Sequence, residues 1–178
     1  MEKGLASFEE RSSTEKQHLG AIKDYLYARE ETVGISDATD EEQIEKDIDL
    51  HWMRVYGEKV LTTSVELKVD TQGHETGNLA FETVSNEIRG TRGCFMRSEA
   101  DLLFYYLAGS GELWVMDMAL VRKWFIEELG KSRNRFRSFE TYTQLSGGQV
   151  YPSYGRLVPI EELKAVGKLI GLKYAKLK

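Results

Sequence analysis

Glu66, Leu67 and Lys68 lie in the run VLTTSVELKV, Val60 to Val69, whose β-branched composition predicts a strand. On a strand, residues i and i+2 share a face, so Glu66 and Lys68 point the same way while Leu67 packs into the core. A carboxylate and an ammonium side by side at a sheet edge suit metal-assisted phosphodiester cleavage. The carboxylate binds magnesium, and the lysine orients or activates the attacking water and stabilises the pentavalent charge. A second Glu-x-Lys, Glu162-Leu163-Lys164, falls in a helix predicted from Pro159, where i and i+2 do not face each other. A bare Glu-x-Lys on a strand also suits a surface ion pair, so the reading needs a further group.

Asp49 is that group. It lies 17 positions before Glu66, on a preceding strand where Asp47, Asp49 and His51 alternate with Ile48, Leu50 and Trp52. Antiparallel pairing through a turn near Gly57 brings Asp49 and Glu66 to the same end of a hairpin. Mg²⁺ takes one or two carboxylates together with waters and substrate phosphate, and this pair supplies them. Asp47, expected on the same face, competes with Asp49, which is preferred because the turn places it nearer Glu66. An acidic strand end facing water is the alternative reading of the same residues.

DID at residues 47 to 49 and VELK at 65 to 68 resemble the signature of the PD-(D/E)XK nuclease superfamily. That group includes restriction endonucleases, Holliday-junction resolvases and mismatch-repair nicking enzymes. TGNLAFE (76 to 82), GCFMRSEADLLFYYL (93 to 107) and GRLVP (155 to 159) are similar to segments of its small phage-associated members, so the likeness runs from about residue 45 to 160. The resemblance implies Asp49 and Glu66 as metal ligands, Lys68 as the catalytic lysine, and Glu15 on the first helix as a further residue approaching the metal. Glu82 is a candidate lining residue. The resemblance also implies Mg²⁺, with Mn²⁺ able to substitute, a DNA substrate and a homodimer, encoded by a bacterium, an archaeon or a phage. Ile48 stands where the signature has proline.

Helical spacing of Leu19, Ile22 and Leu26 predicts a first helix over about 14–29, and a short helix is expected around 41–46. Strands are expected at 79–84, 102–107 and 112–118, a helix at 119–129, and a closing strand and helix from about 154. Together they predict one α/β (α+β) domain spanning residues 1–178, a restriction-endonuclease-like core with a central mixed sheet flanked by helices.

A net charge of -5 and an apolar share of 41% describe an ordinary globular chain, and no apolar run approaches membrane-spanning length. Acidic residues crowd 30–49. Basic ones crowd Arg89, Arg92 and Arg97, and then Lys131, Arg133, Arg135 and Arg137, in connecting segments able to grip DNA phosphates. Each cluster also reads as an ordinary solvated surface. His51 shares the Asp49 face and His74 follows the lysine, although both also fit packing or solvated roles. Asp101 suits a helix cap or the cleft. The single cysteine, Cys94, has no metal-ligand partner at suitable spacing and fits a reducing, intracellular setting. A nuclease-like fold kept as a non-catalytic binding module, and an RNase, remain as alternatives.

Overall fold

Alternation along each strand decides which side of the main sheet a residue faces, and two separate apolar clusters result. The computed structural model describes residues 8–144 and 150–177. Its helices are α1 (Phe8–Tyr27), α2 (Asp40–Lys46), α3 (Gly73–Thr76), α4 (Cys94–Arg97), α5 (Met118–Lys131) and α6 (Ile160–Ala165). Its strands are β1 (Thr32–Asp37), β2 (Leu50–Tyr56), β3 (Lys59–Asp70), β4 (Asn78–Asn86), β5 (Thr91–Arg92), β6 (Leu102–Leu107), β7 (Glu112–Asp117), β8 (Arg137–Gln144), β9 (Val150–Pro159) and β10 (Lys173–Lys176).

The main sheet runs β1-β2-β3-β6-β7-β10. It is mixed, because β3 and β6 are parallel while the other neighbours pair antiparallel. Leu50, Trp52, Val65, Leu67, Phe104 and Tyr106 face one side, where Ile22 and Leu26 of α1 cover them. Leu103, Tyr105, Trp114 and Met116 face the other, against Val121, Trp124 and Phe125 of α5 and Leu79, Phe81 and Val158 of a second sheet. The second sheet, β5-β4-β9-β8, begins inside the crossover that joins β3 to its parallel neighbour β6. The chain is thus α+β, with a mixed central sheet flanked by helices. LLFYYL of β6 is apolar on both faces because both faces are covered.

Several elements follow the expected pattern closely. The β2–β3 turn falls at Gly57, where φ is +60°, and β6 spans 102–107 as expected. Others differ. The acidic stretch after α1 forms strand β1, the basic connection after α5 ends in β8, and the segment after α6 forms β10. β1 and β10 are edge strands of the main sheet and β8 of the second, so each is ordered by hydrogen bonds to a single neighbouring strand rather than by its own pattern.

The two sheets are tied by one buried side chain. The Tyr105 hydroxyl donates to Asp70 Oδ2 at 2.7 Å and accepts from the Ala80 amide at 2.8 Å. Asp70 Oδ1 accepts in turn from the Gln72 and Gly73 amides, which fixes the turn leading into β4. Tyr105→Phe keeps the ring but strands a buried amide and half of a carboxylate. It is expected to lower the unfolding free energy by about 1–3 kcal/mol in urea titrations at neutral pH.

Candidate active site

Asp49 is the last residue before β2, and backbone bonds hold it on both sides. Its amide donates to the Val65 carbonyl at 2.8 Å, and its carbonyl accepts from the Ala38 amide at 3.0 Å. Its carboxylate accepts at Oδ2 from the Leu67 amide, 2.6 Å away. That amide belongs to the residue between Glu66 and Lys68, so the bond brings the Asp49 carboxylate alongside the Glu-x-Lys stretch. The register agrees: Leu50 pairs with Val65, which sets Asp49 across from Glu66. Glu66 and Lys68 share the face opposite Val65 and Leu67, both of which pack in the cluster under α1. Glu66 is 8% exposed and Lys68 is half-buried.

Glu66 and Lys68 line a small, partly open pocket, whose other walls are Ala80, Phe81, Cys94, Phe95, Leu103 and Tyr105. Apolar walls beside a carboxylate and an ammonium limit hydration and strengthen the charges' mutual influence. Cys94, at the start of α4, has no partner at metal-ligand spacing in the sequence, and the fold brings it to this pocket. Burial pushes its thiol up to about 12; the Lys68 charge opposes the shift, while Glu66, Glu82 and Asp47 add to it. Glu82, on β4, therefore belongs to the same neighbourhood. It comes close because the facing residue is glycine: a Cβ on Gly93 would lie 2.4 Å from the Glu82 carbonyl oxygen. No local signal in the sequence marks Cys94 as a site residue, because a long crossover separates it from Lys68.

Neither Asp47 nor Asp49 lies on the strand expected for them, which begins at Leu50; Asp47 lies further off. It ends α2 in a left-handed conformation, φ +48°, which aspartate tolerates. Its carboxylate takes a two-pronged bond from Arg97, at 2.7 and 2.6 Å, so this aspartate and this arginine engage each other. His51 shares the Glu66 face, opposite Ser64, but its Nε2 meets Glu42 Oε1 at 3.1 Å. Hydrogen bonds from the Thr39 amide and from His51 hold the Glu42 carboxyl down to about 2. Asp101 neither caps a helix nor lines the pocket; its Oδ2 accepts from the Ser64 amide and hydroxyl. His74 packs against Gly109, where a Cβ would fall 2.0 Å from the ring. Glu15 lies on α1, and its side chain is outside the described residues.

The basic segments divide in the same way. Lys131 pairs with Glu128, and Arg135 forks onto Glu162 while also reaching Glu128. Arg89, Arg92, Arg133 and Arg137 are exposed, and among the described residues they form no ion pair within 4 Å. Glu162 and Lys164 of the helical Glu-x-Lys go to different partners, Arg135 and Glu161.

Among the described residues no group of three or more His, Cys, Asp or Glu side chains is arranged to hold a metal ion. Asp49, just before β2, and Glu66, on β3, offer hard oxygen donors, a donor set that suits Mg²⁺, which keeps several waters in its shell. Comparison with protein-family models, curated proteins and solved structures finds no match to this chain. No helix among the described residues is long and apolar enough to cross a membrane.

A thiol held near 12 is about one part in 10⁴ thiolate at pH 8. Native protein is therefore expected to react with a disulfide reagent orders of magnitude more slowly than urea-unfolded protein. Equal rates in the two states would show that the thiol is neither buried nor shifted.

Proposed function

We propose that the chain is a metal-dependent endodeoxyribonuclease that hydrolyses DNA phosphodiester bonds. The observation that carries this reading is the Leu67 amide held by the Asp49 carboxylate. That one bond holds an aspartate carboxylate against the backbone between Glu66 and Lys68, the two residues that line the pocket. The α+β fold, with the β2–β3 hairpin beside a parallel β6, is compatible with a restriction-endonuclease-like core.

Asp49 and Glu66 are the residues that would hold Mg²⁺ or Mn²⁺. The bound cation would offset phosphate charge and acidify a water. Lys68 donates a hydrogen bond to the attacking water or to a non-bridging phosphate oxygen, where charge grows in the transition state. Phe81 and Phe95, at the pocket wall, keep bulk water from screening that contact. Cys94, held as the neutral thiol, is not a nucleophile here. Glu82 is placed to orient water at the pocket edge. Of the basic residues, Arg89, Arg92, Arg133 and Arg137 remain available to contact DNA phosphates, whereas Arg97, Lys131 and Arg135 are held by acids. In this reading the enzyme works inside the cell, on one domain of residues 1–178.

A second reading is a non-catalytic nucleic-acid- or protein-binding module, favoured by the lack of a three-donor cluster among the described residues. One experiment separates the two: supercoiled plasmid and a four-way junction incubated with Mg²⁺ or with EDTA. Wild type is expected to cut only with Mg²⁺, and folded Asp49→Asn, Glu66→Ala and Lys68→Ala to lose roughly 10²-fold or more in rate. DNA bound equally by wild type and variants, with neither substrate cut, would establish the binding module instead.

A further inference from the structure

The Leu67 amide holds the Asp49 carboxylate from one side, and the turn that delivers Asp49 is held from the other by the end of α4. Backbone and side chain both make that second hold. The Lys46 carbonyl accepts from the Glu99 amide at 2.8 Å, and the Asp47 carbonyl accepts from the Ser98 hydroxyl at 2.9 Å. The Asp47 carboxylate takes the forked bond from Arg97 and uses both oxygens to do so. The segment that makes these contacts is itself fixed. Arg122 of α5 donates to the Phe95 and Ser98 carbonyls, and Asp101 bonds the backbone of Ser64 on β3. The contacts therefore close into a circuit, from Ser64 through Asp101, Arg97, Asp47 and Asp49 back to β3 at Leu67. Glu66 lies on the stretch of β3 that the circuit spans. Cys94 and Phe95 of the pocket wall begin the same short helix that Arg97 ends.

The fork differs from the exposed ion pairs elsewhere on the surface. The Asp47 side chain is only 13% exposed, and a planar guanidinium on two carboxylate oxygens fixes orientation as well as charge. Asp47 makes the bond from a backbone at φ +48°, which few residues other than glycine, asparagine and aspartate adopt readily. The Asp47 hydrogen bond holds the Arg97 guanidinium above its usual range and Glu66 adds to the shift, so Glu66 lies within electrostatic reach of it. A cation so placed opposes a metal ion at Glu66 by charge alone. Whatever it contributes to the site is therefore geometric.

We propose that Asp47 and Arg97 are positioning residues for the Asp49–Glu66 pair, the fork fixing the turn that carries Asp49 against the wall that carries Cys94 and Phe95. Neither residue is a ligand. Asp47, with both oxygens on Arg97, supports Asp49 and does not compete with it. Contacts that orient a metal ligand from behind are worth about 10–100-fold in metal affinity, and here a circuit of hydrogen bonds takes the place of a single supporting residue. The assignment rests on the metal-dependent reading of the site.

Calorimetric titration of Mn²⁺ into the full chain, without DNA, tests it, and urea unfolding checks that each variant is folded. Asp47→Asn keeps a residue suited to positive φ and removes the carboxylate, while Arg97→Gln removes the fork from the other side. Both are expected to bind Mn²⁺ about 10–100-fold more weakly than wild type, and the double variant no more weakly than either. Arg97→Lys, a milder change that keeps the charge and loses the fork, is expected to fall in the same direction. Arg97→Gln decides the matter, because losing a cation beside Glu66 would by charge alone tighten the binding of another. Unchanged or tighter binding by a folded Arg97 variant would overturn the proposal, and a loss confined to Asp47→Asn would make Asp47 a ligand instead. Losses that add in the double variant would overturn it too. Wild type that binds no Mn²⁺ would remove the metal-dependent reading and this proposal together, whereas variants that bind as well as a binding wild type would remove the proposal alone.

Discussion

The two-sided pleat of β3 is the constraint on which the rest of the site depends. Val65 and Leu67 must leave water, and the cluster under α1 takes them. Once they are placed, Glu66 and Lys68 have no choice of face. They point toward the side that α5 and the second sheet cover elsewhere, at a place where that cover opens into a pocket. The Asp49–Leu67 bond extends the same logic across the hairpin. A backbone amide of the apolar residue that anchors β3 is also the donor that orients the aspartate. Slipping the register by one residue would turn Val65 and Leu67 toward the pocket and drive Glu66 and Lys68 into the apolar cluster under α1, so fold and candidate chemistry stand or fall together.

The crossover from β3 to β6 completes the pocket. Parallel strands need a long connection, and here that connection contributes α3, β4, β5 and α4. Tyr105 and Asp70 hold its beginning against β6. Arg122 holds its end, reaching the Phe95 and Ser98 carbonyls from α5. Between these two anchors lie Ala80, Phe81, Glu82, Cys94 and Phe95. The pocket is therefore a product of the connection's length as much as of the strands that carry Glu66 and Lys68.

Charge is distributed by pairing more than by total. Four acids of the stretch between 30 and 49 are engaged within the fold: Asp37 meets Lys23, Glu31 meets Arg29, Glu42 meets His51 and Asp47 meets Arg97. The basic segment after α5 is answered by Glu128 and Glu162. Exposed pairs of this kind contribute little to stability, roughly 0–1 kcal/mol each. Their effect is to neutralise groups that a linear reading counts as available, among them Arg97, Lys131 and Arg135.

What the sequence determined by itself is local and periodic. The strand character of VLTTSVELKV, the shared face of Glu66 and Lys68, the turn at Gly57, the short helix around 41–46 and the apolar run of β6 can all be read without coordinates, because each depends on residues within a few positions of one another. The approach of Asp49 to Glu66 was legible too, since a short hairpin leaves little freedom in register. Only the tertiary structure decided that Asp47 turns away to meet Arg97 and that Cys94 joins Lys68 across a crossover. It alone made strands of Thr32–Asp37, Arg137–Gln144 and Lys173–Lys176. Most of those outcomes depend on a partner far along the chain, and the free energy that selects them, a backbone ladder or a forked ion pair, is gained only after the ends have been brought together; Arg137–Gln144 instead pairs with the strand that follows it.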